Sequence, residues 1–155
     1  MKKLVCLFAL QLVLMSLFSQ ADLKGYDANL AAKLGADERG MKMYVMVILK
    51  TGTYNPASKT ERDSLFRGHM SNIKRLVSEG KMVIAGPFEK NDKSYRGIFI
   101  MNVPTIAEAR KLIETDPTIK SKIFDVELFE WYGSAALPVY LKTHEKIDKK
   151  SLSEK

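Results

Sequence analysis

The sequence predicts an α+β domain, a four-stranded antiparallel sheet with two helices on one of its faces. Three observations predict it. Four short runs rich in β-branched and aromatic residues are bounded by Gly, Pro and Asn-Asp turns. Two stretches between them repeat apolar residues at helical spacing. The second and third runs are separated by a turn alone, so the order is strand, helix, strand, strand, helix, strand.

Each element carries its own signals. Residues 43–49 (MYVMVIL) are continuously apolar and are closed by Thr51, Gly52 and Asn55-Pro56, the pattern of a buried first strand. The helix after it can be capped by Ser58 or Thr60 and carries Glu61 and Asp63 where a helix N-terminus favours negative charge. Its Leu65, Phe66, His69, Met70, Ile73, Leu76 and Val77 recur at helical spacing until Gly80 stops it. Residues 81–85 (KMVIA) read as the second strand, ended by Gly86-Pro87, and Asn91-Asp92-Lys93 turns the chain into a third at 95–103 (YRGIFIMNV). Pro104 and Thr105 open a second helix with Ile106, Ala109, Leu112 and Ile113 on its apolar face. Asp116-Pro117 ends that pattern, because a residue before proline is driven out of helical geometry. Residues 123–132 (IFDVELFEWY) alternate as a fourth strand with Gly133 as terminator. The resulting βαββαβ order is the ferredoxin-like arrangement.

With 155 residues, 46% of them hydrophobic and 28% charged, the chain suits one domain with short appendages. A domain of this size buries roughly two thirds of its unfolded surface and needs no staple. Cys6 is the only cysteine, and His69 and His144 are the only histidines. No disulfide framework, metal site or cofactor is therefore expected.

Lys2 and Lys3 precede an apolar run over residues 4–18 that ends in Ser19, Gln20 and Ala21, the pattern of a secretory signal peptide. The run is broken by Gln11 and Ser16 and falls short of the roughly 18–20 apolar residues that span a bilayer. Cys6 lies too early for a lipoprotein cleavage point. The expected organisation is a signal peptide at 1–20, a polar leader at 21–42 with at most a short helical turn near 29–34, the domain at 43–133, and a charged, partly helical tail at 134–155. On this reading the protein is secreted or periplasmic and leaves the membrane once the signal is removed. The formal charge of +7 includes Lys2 and Lys3, and the remaining Lys and Arg are scattered among 18 acidic residues. That scatter, without a basic stripe and interleaved aromatics, excludes nucleic acid as the expected partner.

Leu65, His69 and Ile73 are four residues apart, so His69 lies on the helix face that must pack on the sheet. A polar ring there is either a core histidine satisfied by a backbone carbonyl or an imidazole at the wall of a pocket. Asp116, before Pro117, reads on its own as a turn residue that bonds nearby backbone. Gly86-Pro87 is either a plain strand terminator or part of a pocket mouth. Arg96 on a strand could orient an acidic substrate. His144, beside Glu145-Lys146, belongs to a solvated charged tail.

Leu65-Phe66-Arg67-Gly68-His69-Met70, then Ala85-Gly86-Pro87, then Tyr95-Arg96-Gly97, then Asp116-Pro117, within this element order, resemble the YCII-related (YciI-like) family of small bacterial proteins. The resemblance covers about residues 43–132. It implies the fold of the dimeric α+β barrel proteins and a His–Asp pair as the active site, here His69 and Asp116. The family arginine three positions before the histidine is replaced by Phe66, with Arg67 one position later. Arg67, Gly86, Pro87 and Arg96 are the candidate substrate-binding residues.

In such a pair the carboxylate holds one imidazole nitrogen protonated and stabilises an imidazolium. No nucleophile with an oxyanion motif completes a triad: Ser71 is two positions from His69 and faces elsewhere on the helix. The expected function is cofactor-independent acid/base chemistry on a small molecule by a lyase, isomerase or hydrolase. The alternative is a noncatalytic ligand-binding or accessory protein of the cell envelope. A homodimer is expected too, because residues 43–49 and 98–101 are apolar on both faces of the pleat while the helices cover one. The tail from Leu137 or the leader before Met43 is the other candidate cover for the second face.

Overall fold

The computed structural model describes residues 25–149. The expected signal peptide at 1–20, the leader residues 21–24 and the end of the tail at 150–155 lie outside the described residues. The chain divides into two units, Met1–Leu30 and Ala31–Lys155. In the first, Asp27 Oδ1 accepts the backbone N–H of Leu30 at 2.9 Å. Helix α1 spans Ala28–Leu34, longer than the single turn expected near 29–34.

The second unit contains β1 (Met41–Thr51), α2 (Lys59–Ser78), β2 (Met82–Pro87), β3 (Tyr95–Met101), α3 (Ile106–Ile113), α4 (Pro117–Lys120) and β4 (Phe124–Ser134). The strands form one antiparallel sheet in the order β2-β3-β1-β4, with the helices on one side: the ferredoxin-like α+β fold that the sequence predicts. Ser58 caps α2 by accepting the N–H of Glu61, and Thr105 caps α3 by accepting that of Glu108, so each helix begins where a hydroxyl satisfies a free donor. The tail forms a 3₁₀ turn at Leu137–Tyr140 and then α5 (Leu141–Ile147).

Several boundaries differ from expectation for physical reasons. β2 does not stop at Gly86-Pro87 but runs through them, with Pro87 opposite Gly97. An edge strand tolerates a proline because the missing N–H faces away from the ladder. Gly133 does not end β4. It lies opposite Lys42 inside the ladder, and a Cβ there would come within 2.5 Å of the Trp131 ring, so glycine makes room for an indole. β1 accordingly begins at Met41, inside the expected leader. β3 ends at Met101 rather than Val103, because Asn102 N–H turns to the carbonyl of Lys81. Asp116-Pro117 lies beyond the end of α3, as expected, and then opens a further short helix, α4, that the sequence did not signal.

The core lies between the helices and the inner sheet face. Val45, Val47 and Leu49 of β1 and Phe99 and Met101 of β3 are buried there against Leu76, Ala109, Ile113 and Ile119. Phe124, Val126 and Leu128 of β4 pack at its margin. A smaller cluster on the outer face gathers Tyr44, Val83 and Ile100 with Trp131 and Leu137.

Candidate functional site

His69 lies on the sheet-facing stripe of α2 and is 8% exposed. Its ring is surrounded by Phe66, Phe99 and Phe124 at centroid distances of 6.1, 5.9 and 5.7 Å. Its polar partner is a carboxylate and not a backbone carbonyl: Nδ1 is 2.7 Å from Asp116 Oδ2.

Local chemistry puts that carboxylate in place. Asp116 N–H closes on the carbonyl of Ile113 after α3, and its extended backbone (φ −77°, ψ 123°) satisfies the constraint set by Pro117. Its side chain then caps α4, with Oδ1 accepting the N–H of Thr118 at 2.9 Å and the Thr118 hydroxyl at 2.6 Å. Helix α4 reaches α2 where α2 has no side chain. A Cβ on Gly68 would stand 2.7 Å from Pro117 Cγ, so a glycine next to His69 sets the approach that brings Asp116 to the imidazole.

The two carboxylate oxygens divide the work, Oδ1 holding the cap and Oδ2 the ring. Asn72 Nδ2 is 3.5 Å from Oδ2. Its orientation is fixed because Asn72 Oδ1 accepts from Arg75 Nη2 at 2.8 Å, and arginine can only donate. Thr115 Oγ1 lies 2.9 Å from the same Asn72 oxygen. Burial of Asp116, 1% exposed, works against its ionisation. The hydrogen bonds from His69 and Thr118 outweigh that effect and hold the carboxyl below its ordinary value.

An ionised carboxylate can only accept, so His69 Nδ1 carries a hydrogen and the remaining ring nitrogen, Nε2, is the one available to another molecule. The Thr118 hydroxyl, donating to Asp116, stands 3.2 Å from the same Nδ1. Among the described residues Nε2 has no hydrogen-bond partner, and no buried side-chain nitrogen or oxygen is left unsatisfied. The ring's residual exposure therefore includes Nε2.

Two shallow cavities of about 350 and 420 Å³ lie elsewhere, and neither is lined by His69 or Asp116. The pocket expected beside the pair coincides with neither, and the three phenylalanines surround the ring. Arg67 and Arg96 are exposed, Arg96 Nε donates to Thr51 Oγ1 at 2.6 Å, and Gly86 and Pro87 sit in edge strand β2. None of the four hydrogen-bonds to His69 or Asp116. Among the described residues no group of three His, Cys, Asp or Glu side chains is placed to hold a metal ion, and no helix is long and apolar enough to cross a membrane. Sequence reasoning missed Thr118, Asn72 and the aromatic surround. Asn72 was recoverable, since it follows His69 by three residues and so shares its helix face.

The topology and the His69–Asp116 contact define a ferredoxin-like α+β domain with a paired imidazole and carboxylate under its helices. The pattern of the YCII-related domain matches residues 43–132, more than half of the chain, and the chain belongs to the YCII-related family. Among solved structures it is similar to 5-chloro-2-hydroxyhydroquinone dehydrochlorinase from Burkholderia phenoliruptrix AC1100, determined in complex with 2,5-dihydroxybenzoquinone. That likeness has 23% identity and a TM-score of 0.40 over 56% of this chain and 92% of the other. No curated protein matches the chain.

Proposed function

We propose that the protein is an exported enzyme using His69 as general acid and base on a small molecule, in lyase, isomerase or hydrolase chemistry that needs no cofactor. The observation that carries this reading is the tie between His69 Nδ1 and Asp116, which leaves Nε2 without a partner. Nε2 takes a proton from a substrate carbon or hydroxyl, or from a water, and the imidazolium so formed is held against the Asp116 carboxylate. Returning that proton to a different substrate atom completes an isomerisation, and giving it to the departing group completes an elimination or hydrolysis. Thr118 is spoken for, since its hydroxyl donates to Asp116, and Ser64 and Ser71 are exposed. Water is then the nucleophile in any hydrolysis.

The second reading, a noncatalytic small-ligand-binding or accessory protein of the cell envelope, is favoured by the aromatic packing around His69. A thermal-shift screen of small phenols, quinones and hydroxy acids separates the two readings, with turnover followed for each hit on the native protein and on His69→Ala. Conversion that falls by about 10²-fold or more in His69→Ala supports the enzyme. Hits that bind both proteins and are never converted support the binding reading.

Export carries its own test: the mature chain begins near Ala21, and the intact mass of periplasmic or secreted material should lack Cys6. The assembly proposed is a homodimer through the outer sheet face.

A further inference from the structure

We propose that the cleft between α3, α4 and β4 binds an amphipathic monoanion, an aromatic or short aliphatic carboxylate, at a site separate from the His69–Asp116 pair. The cleft has a volume of about 350 Å³. Its apolar lining is the half-buried Val126 with the edges of the buried Ile113 and Ile119, its cations are Arg110, Lys120 and Lys122, and Glu114 is its single acid. An apolar floor under a surplus of positive charge is the chemistry that recognises an anion carrying a small apolar body.

The cations are available. Arg110 and Lys120 make no side-chain hydrogen bond or ion pair among the described residues. Lys122 reaches only Asp125, at 3.9 Å. Basic residues at helix C-termini commonly just offset the helix dipole. That accounts for Arg110 in the last turn of α3 and for Lys120 in the last turn of α4, and does not extend to Lys122, which lies beyond the helix. Lys122 follows the last turn of α4 with its N–H on the carbonyl of Ile119, and its φ is +67°. This is the left-handed position just beyond a helix where glycine is the ordinary residue, because any Cβ there is disfavoured. The turned backbone serves the fold, with the Lys122 carbonyl accepting the Tyr54 N–H at 3.0 Å, and it leaves the lysine side chain exposed at the lip of the cleft.

The test is an NMR titration of the full chain with 2-naphthoate and with its neutral counterpart, 2-naphthylmethanol. The expected result is saturable shifts centred on residues 110–126, with the acid bound about tenfold more tightly than the alcohol. Lys122→Gly should melt at a higher temperature, since its backbone strain is relieved, and bind 2-naphthoate about tenfold more weakly; Lys120→Gln should lose affinity in the same direction. His69→Ala should bind 2-naphthoate unchanged, which keeps this site distinct from the proposed catalytic one. Absence of saturation, equal affinity for acid and alcohol, or unaltered binding in Lys122→Gly would overturn the proposal. So would loss of binding in His69→Ala.

Discussion

Asp116 is where one side chain serves both the fold and the candidate chemistry. Reading it as a turn residue captures Oδ1, which caps α4, and misses Oδ2, which no local rule connects to an imidazole 47 positions away. Helical spacing identified the face of His69, and the partner came only from resemblance, since neither periodicity nor turn chemistry encodes a contact between distant segments. Asp116→Ala removes the cap and leaves a buried imidazole donor unmet, and should cost about 2–4 kcal/mol in chemical denaturation. Asp116→Asn keeps an acceptor for the cap but abolishes the charge, so it should be milder. The pair also sets a pH dependence. The folded carboxyl lies below its ordinary value of 3.8, so its stabilising effect is complete above about pH 4–5 and is lost as pH falls through the lower folded value. Acid unfolding followed by far-ultraviolet circular dichroism should accordingly be steeper in the native protein than in Asp116→Asn. Equal slopes would mean that the carboxylate contributes nothing ionic to the fold.

At the scale of elements, the site depends on how closely α4 can approach α2. Gly68 looks like an unremarkable helix-interior residue in the sequence, where glycine weakens a helix by about 1 kcal/mol relative to alanine. Its reason becomes visible only when Pro117 is seen against it. Gly133 carries the same lesson, since it reads as a stop and instead accommodates Trp131. The six main elements and their order were legible because their periodicities are long and their caps conventional. Edge behaviour, such as β2 continuing through Pro87, was not, because it depends on which strand ends up outermost. Gly68→Ala gains helix propensity yet should lose about 1–3 kcal/mol net, because the added methyl overlaps a proline ring that cannot swing aside. The displacement of α4 should also separate His69 from Asp116, readable as a changed ring-nitrogen signature of His69 by NMR. Ser58→Ala, at the far cap of α2, should cost about 1 kcal/mol and leave that signature alone.

For the molecule as a whole, what remains open is the outer face of the sheet. The tail covers one end of it: Leu137 packs on the cluster of Tyr44, Val83 and Ile100, and the Tyr140 hydroxyl donates to the carbonyl of Val83. The rest is an apolar band running across three strands. Ile98 pairs with Ile48, and Met46 pairs with Phe129. Phe129 is 51% exposed and ends the band, with the Lys50–Glu127 ion pair at its border. A sequence reading could show that both faces of β1 and β3 are apolar, but not how far a tail would reach over one of them, because that is set by the turn after β4. A second copy placing the same band against this one matches apolar surface with apolar surface by two-fold symmetry and leaves the charged border in water. The native protein should therefore sediment as a dimer at micromolar concentration. Phe129→Glu puts a charge where a folded monomer tolerates it and a sheet-to-sheet interface does not, so it should sediment as a monomer with native circular dichroism. A native protein that is itself monomeric would refute the dimer and leave the tail as the cover of the outer face, in which case Phe129→Glu would alter neither sedimentation nor fold.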